Sequence, residues 1–374
     1  MTRHYTGDLT PALGFIGLDT MDPWVHIIGG GLSGLSLASS LAKLGALPGE
    51  VIVSEPDLEA LTSKTFSFWF NATEQNFLKP EFSSDTWKLG TDNFQVTHQG
   101  SCFRYGTRTG RNVMESALSA IDRHPQIQIA KEIVHIQPKA SHCFDSRPCD
   151  IDSFQLTQSF VGTEVLFDQP HGISQIELMN QMQTITTGIR FIYVLPLGSH
   201  RLLVEHTDFT TMPSDFSILK DLNDRYLQHY FDASQFRITR TEAAHIPMGF
   251  KHKSMNWGTP LGARGGMTRD ATGYGYRTIR YACDVIAKDL VKYNSTKPYQ
   301  RLKITTWADQ LFLNLIKQRP DVIPKTLMQL ANKMSPDRFA AFMMMRSPTD
   351  LIHMLRAAPV KPFTCALLGR YQWI

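Results

Sequence analysis

The stretch "WVHIIGGGLSGLSLASSLAKLGALPGEVIVSE", residues 24–55, decides the fold. Four apolar residues, Val25–Ile28, run into a glycine turn. An apolar-periodic segment from Leu32 to about Leu44 follows, then a Pro48-Gly49 loop and a second apolar run at 50–54. This is the pattern of a strand, a helix and a parallel strand. Gly29, Gly31 and Gly34 have the G-x-G-x-x-G spacing, and Glu55 ends the second strand. Each piece has a chemical reason. Glycines let the backbone approach a pyrophosphate, the helix N-terminus stabilises its charge, and the carboxylate accepts from ribose hydroxyls. With strand, helix and acid in register, a dinucleotide-binding unit is the expectation, rather than a merely tight turn.

Composition narrows the rest. The 374 residues are 42% apolar and 19% charged with a formal net charge of +4, an ordinary globular balance with no basic block to suggest nucleic acid. Cys102, Cys143, Cys149, Cys283 and Cys365 are odd in number and lack metal-pair spacing, so no metal site is expected and a reducing, cytoplasmic setting fits. No window reaches the ~18 apolar residues of a membrane span. Any membrane contact is expected at the surface.

The fold class expected is α/β: a Rossmann-type dinucleotide domain interleaved with a β-sheet substrate domain, followed by a helical C-terminal region. Residues 1–23 read as an extension and 24–160 as the first part of the cofactor domain, with inserted strands. Residues 161–250 read mainly as the substrate sheet, 251–295 as the return to the cofactor domain, and 296–374 as helical. In the middle, "QSFVGTEVLF" (159–167) and "IRFIYVLPLGSHRLLVEHTDF" (189–209) are rich in β-branched and aromatic residues, the second forming a hairpin about Gly198-Ser199-His200. Beyond Thr305, prolines 320, 324, 336 and 348 divide a helical pattern into short pieces.

Two features carry chemistry downstream. A second glycine loop, 262–273, feeds a helix and can meet a flavin dinucleotide, so Gly265, Gly266, Thr272 and Gly273 join Gly29, Gly31, Gly34 and Glu55 as cofactor candidates; a surface turn is the plain alternative. In the hairpin, alternation sets Leu203, Glu205 and Thr207 on one face and Leu202, Val204 and His206 on the other. A carboxyl among aliphatics has a raised pKa and can exchange protons with a hydrocarbon. The alternative is a solvent-facing Glu205 on an edge strand. Glu242, Asp145 and His171 are weaker candidates because each sits beside turn residues.

These pieces, with "KTFSFWF" (64–70), Tyr105, "QPHG", "TEAAHIPMG" and "ATGYGYRTIRYACDVIAKDL", are collinear with the lycopene cyclases of the bacterial and plant type, which the chain resembles from about residue 24 to about 368. The resemblance implies FAD, active when reduced, with NAD(P)H as reductant, an apolar carotenoid-like substrate and a role for Glu205 in handling the proton. It implies ring closure of a linear polyene end group without net redox change.

The chain departs from the family pattern where an acidic pair becomes Glu205-His206. Lys64, Phe66, the Asp145–Pro148 turn, Asn180 and Asp270 are further departures, and Arg108 and Arg111 compete for one family arginine. These changes keep open a flavoprotein monooxygenase or halogenase acting on another apolar substrate, and a flavin-binding protein without catalysis.

Overall fold

A computed structural model describes residues 22–148, 151–252, 257–345 and 347–373. The 1–21 part of the N-terminal extension and Cys149 lie outside the described residues.

The opening unit folds as its pattern predicts. Strands Val25–Ile28 and Val51–Ser54 pair in parallel on either side of helix Leu32–Ala42. They sit in a five-stranded parallel sheet, ordered Thr259–Pro260, His142–Asp145, Val25–Ile28, Val51–Ser54, Ile127–Ala130. Burial on both sheet faces explains why these strands read as continuous apolar runs. Helices Leu32–Ala42, Gly110–Ile121 and Tyr276–Tyr293 pack together around the same core. Of "IQIAKEIVHI" (127–136), whose β-branched residues suggest a strand throughout, only Ile127–Ala130 forms one.

The second layer is a seven-stranded sheet. Its order is Phe236–Met248, Leu156–Phe167, Arg201–Thr210, Gly188–Pro196, Ile176–Ile185, Thr86–Gly90, Gln95–Gln99. The chain therefore visits this sheet at 86–99, returns to the parallel sheet, and comes back at Leu156. Two corrections follow. Arg201–Thr210 is central rather than an edge strand, and "TEAAHIPMG", read as turn-flanked, is the end of the 13-residue strand Phe236–Met248. That strand is the sheet's edge, which is where Pro247, lacking an N–H, can be accommodated.

Both faces of the sheet are covered. Helix Phe216–Tyr230 buries Leu219, Asn223 and Leu227 against the outer face, with Asp215 capping its start by accepting from the Ser217 amide at 2.8 Å. The inner face meets the C-terminal helices Lys303–Gln318, Ile323–Lys333, Pro336–Met344, Pro348–Ala357 and Val360–Leu367. Pro324, Pro336 and Pro348 stand in first turns, where a missing N–H costs nothing, so they start helices rather than interrupt them. Leu313, Leu315 and Ile316 are fully buried there, each worth about 1.5–3 kcal/mol of transfer free energy.

Candidate functional site

At the first glycine turn, each sequence-predicted residue has a distinct job. Gly29 adopts φ +97°, a region closed to most side chains. A Cβ on Gly34 would lie 1.9 Å from the Gly29 carbonyl oxygen, so only glycine lets the helix meet the turn. A Cβ on Gly31 meets nothing within 4 Å, and Gly31 caps the helix without a side-chain hydrogen bond. The helix therefore begins with uncapped amides facing open space, which suits an anion. Glu55 accepts from the Gly30 amide at 2.6 Å and the Asp57 amide at 2.9 Å, which fixes its carboxylate beside the turn with lone pairs to spare for hydroxyls. These residues fit the diphosphate and ribose of a dinucleotide.

The second glycine loop abuts the first: a Cβ on Gly262 would lie 2.6 Å from the Ser33 hydroxyl, and Ser33 bonds Ser146 at 2.5 Å. The amides of Gly265, Gly266 and Gly273 are bonded within the loop, to Leu261, Ala263 and Arg269, and that of Thr272 lies 3.4 Å from the Arg269 oxygen. What the loop offers a ligand at these positions is its glycine surface. Gly266 and Gly273 both take positive φ. Arg301 holds the loop through Asp270 at 2.9 Å and the Gly266 and Thr268 carbonyls. Arg269 ties it to the C-terminal helices through buried Asp309 at 2.9 Å and the Phe342 and Met343 carbonyls. The departure at Asp270 is thus a structural anchor.

Asp145 is also structural. It is fully buried; burial would raise its pKa, but Arg147, the Trp257 amide and Arg264 hold it below the ordinary carboxylate range. His171 bonds the Gly198 carbonyl at 2.8 Å and secures the hairpin turn. Arg108 is buried and donates to the Tyr276 hydroxyl at 3.2 Å, whereas Arg111 is exposed.

Glu205 lies on the inner face and His206 on the outer, a choice that the alternation left open. The register sets Glu242, Gly162, Glu205 and Tyr193 in one row across four strands. Thr207 donates to Glu205 at 3.2 Å. Burial pushes the Glu205 carboxyl up to about 8, with the Glu242 charge adding to the effect and Thr207 and Arg240 opposing it. Glu242 is 4% exposed and its Oε1 has no hydrogen-bond partner among the described residues, while Arg240 approaches its Oε2 at 3.2 Å. Burial raises Glu242 too, against the pull of Arg240, Thr65 and Lys64.

His206 points to the other face, where Asn223 accepts from its backbone amide at 3.1 Å and lies 2.8 Å from its Nδ1. Replacing an acid there removes nothing from the Glu205 face. A second carboxyl on the Glu205 face is that of Glu242. A signal for it exists in the sequence: Gly162 interrupts a β-rich run, which marks close approach of a neighbour.

Tyr193 and Tyr274 line an apolar cavity with Met179, Ile189, Phe191 and Phe209 of the sheet and Leu311, Phe312, Met343 and Met354 of the helices. Its volume is about 50 Å³. Tyr274 bonds Tyr193, lies 3.1 Å from the Tyr105 hydroxyl, and separates this cavity from an open cleft of about 570 Å³ bounded by Trp69, Thr268, Tyr276 and Arg277. Burial drives Tyr105 and Tyr193 well above the ordinary phenol range, so both stay protonated.

A glycine turn that fits a dinucleotide is thus joined to a sheet in which Glu205 stands opposite the cavity-lining Tyr193, and the family model described as "Lycopene cyclase protein" matches residues 25–364. The chain belongs to the lycopene cyclase family. Lycopene cyclase relatives include the lycopene beta-cyclase of Paracoccus sp. (strain N81106 / MBIC 01143), 30% identical over 136 residues, 35% of each chain. That of Pseudescherichia vulneris is 27% identical over 171 residues, 43% of this chain and 44% of the relative. The matched segments therefore span less than half of these curated relatives.

Solved structures extend the fold over the whole family region. A geranylgeranyl bacteriochlorophyll reductase-like protein of Thermoplasma acidophilum has TM-score 0.56 at 12% identity, covering 94% of this chain and 98% of that one. The p-nitrophenol 4-monooxygenase of Pseudomonas putida has TM-score 0.54 at 11% identity, with 94% and 98% covered. A flavin-dependent halogenase of Xanthomonas campestris has TM-score 0.54 at 11% identity, with 94% of each chain covered. At such identities these likenesses establish the fold alone.

Proposed function

We propose that the protein is an FAD-dependent cyclase that closes the end group of a linear, lycopene-type polyene into a six-membered ring. The observation that carries this reading is the place of Glu205, on the inner face of the sheet directly opposite Tyr193, which lines the apolar, aromatic cavity; burial there raises its carboxyl to about 8. A protonated carboxyl in a hydrocarbon environment is the group that acid-initiated ring closure requires.

Glu205 gives its proton to the terminal double bond. The resulting cation is attacked by a nearby double bond of the same chain, and a ring C–H proton is then lost, so one proton enters, one leaves and no electrons are exchanged. Thr207 orients the Glu205 carboxyl. The faces of Phe191, Phe209, Tyr193 and Tyr274 favour positive charge, and the aliphatic lining excludes water that would trap it. Gly29, Gly31, Gly34 and Glu55 would hold the diphosphate and ribose of FAD, with the 262–273 loop beside them. Bound and reduced, with NAD(P)H as reductant, FAD supplies an electron-rich neighbour that stabilises the developing cation.

The cavity of about 50 Å³ is far below the roughly 300–1,000 Å³ of ordinary ligand sites, so side chains must move to admit an end group. Met179, Met343, Met345 and Met354 line it and are flexible enough to reseat. Trp307 and Leu355 join its lining while 43% and 47% exposed, beside exposed Ile352, Val360, Leu367 and Leu368. Residues 300–374 carry eleven Lys or Arg against four Asp and no Glu. This basic C-terminal region with its exposed apolar residues suits peripheral contact with an anionic bilayer from which the substrate is drawn. Among the described residues no helix is long and apolar enough to cross a membrane. Flotation of the protein with anionic vesicles, diminished in Trp307→Asp, is the expected result; no flotation would refute the contact.

The decisive experiment is expression in a bacterium that accumulates lycopene, with separation of the pigments. Cyclic carotenes that disappear with Glu205→Gln are expected. Unchanged lycopene in the presence of flavin-loaded protein would overturn the reading, and an oxygenated or halogenated product would replace it with the monooxygenase or halogenase alternative.

A further inference from the structure

Ring closure as proposed uses one of two carboxyls on the same sheet row. Glu242 stands beside Gly162 on the edge strand, and Glu205 stands beside Gly162 on the central one. All three residues face inward. A Cβ at Gly162 would fall 3.0 Å from Glu242 Cγ and 3.3 Å from its Oε1, the oxygen that has no partner. The unpartnered oxygen thus borders the space above Gly162, which Leu203 Cδ1 also borders at 3.1 Å, on the face that Glu205 shares in the next strand.

The surroundings are unequal. Glu242 has Arg240 at 3.2 Å, with Lys64 nearby, and Arg240 is further held by Glu164 at 2.9 Å and Thr65 at 2.6 Å. Glu205 has the Thr207 hydroxyl, with Tyr193 opposite and Tyr274 from the loop, and feels Arg240 only as the weakest of its influences. Two carboxyls sharing a buried site cannot both ionise cheaply, so the one with the cation keeps the charge and the other keeps the proton.

We infer that Glu242 is a positioning residue of a proton-sharing pair: ionised against Arg240, it holds the site's proton on Glu205 across Gly162. This deepens the cyclase reading and rests on it for its use, while the pair itself is measurable without turnover. After ring closure the same charge returns the pair to one proton, because the Glu205 carboxylate beside ionised Glu242 is a strong local base for the ring proton.

The test is an infrared titration of the carboxylic-acid C=O band in flavin-loaded wild-type protein and in Glu242→Gln, Glu242→Asp, Gly162→Ala and Glu205→Gln. In the wild type a band that is absent from Glu205→Gln should persist to about pH 8. In Glu242→Gln it should titrate at a pH lower by about one unit or more, because a like charge is lost and Arg240 is left unbalanced. The alkaline limb of ring formation should move the same way with KM little changed, and Glu242→Asp should restore most of both. Gly162→Ala, which fills the space above Gly162, should displace the same titration and serves if Glu242→Gln fails to fold. A Glu205 titration unmoved by these changes overturns the pair even if rings form. A shifted titration without ring formation upholds the pair and refutes the cyclase reading.

Discussion

Substituting Glu205 by glutamine should abolish ring closure and yet make the protein more stable, by an amount that grows with pH. In the folded protein burial and the neighbouring charge raise the Glu205 carboxyl from 4.5 to about 8. Below pH 4.5 both folded and unfolded chains carry the proton and the acid is no burden. As pH rises the unfolded chain ionises first, which favours unfolding by about 1.4 kcal/mol per unit until the folded carboxyl ionises near pH 8. The ceiling is about 4–5 kcal/mol, shared with Glu242 because the pair titrates together. Glutamine has nearly the same shape and no such penalty. Urea unfolding at pH 5 and pH 8 should therefore show the stability gap between Glu205→Gln and wild type widening by about 3–4 kcal/mol. A gap equal at the two pH values would mean that Glu205 ionises like an exposed glutamate, and the acid role argued from its burial would fall.

Two further substitutions separate shape from ligand approach at the glycine turn. Gly34→Ala puts a carbon 1.9 Å from a backbone oxygen and should cost about 1–3 kcal/mol in urea unfolding with loss of flavin, whereas a stability equal to wild type would contradict the packing. Gly31→Ala meets open space, so it should unfold within about 0.5 kcal/mol of wild type yet purify with less flavin by its visible absorbance; full flavin would place the diphosphate elsewhere. Asp309→Ala strands the Arg269 guanidinium in the interior and should cost about 3–5 kcal/mol, with a loosened 262–273 loop seen as faster amide exchange; unchanged exchange would show that the loop does not depend on this pair.

The sequence by itself determined the parts whose signals are local. Strand, turn, helix and acid in 24–55 follow from periodicity and from glycines needed within a few residues of one another. That Glu205 and His206 stand on opposite faces follows from strict alternation along one strand; which of them faces inward does not. Only the tertiary structure decided what Glu205 faces. The strand Phe236–Met248 contains Pro247 and two adjacent alanines, so its propensity is weak; it becomes a strand because Leu156–Phe167 offers it a ladder of hydrogen bonds. That pairing, and the order in which the chain's strands enter the sheet, bring Glu242 opposite Gly162 and Glu205. The same register turns His206 toward Asn223 and away from the site, so the altered hairpin acid matters less than the motif suggests. Periodicity says which way a side chain points, but the sheet order, fixed by long-range burial and pairing, says which carboxyls share a proton.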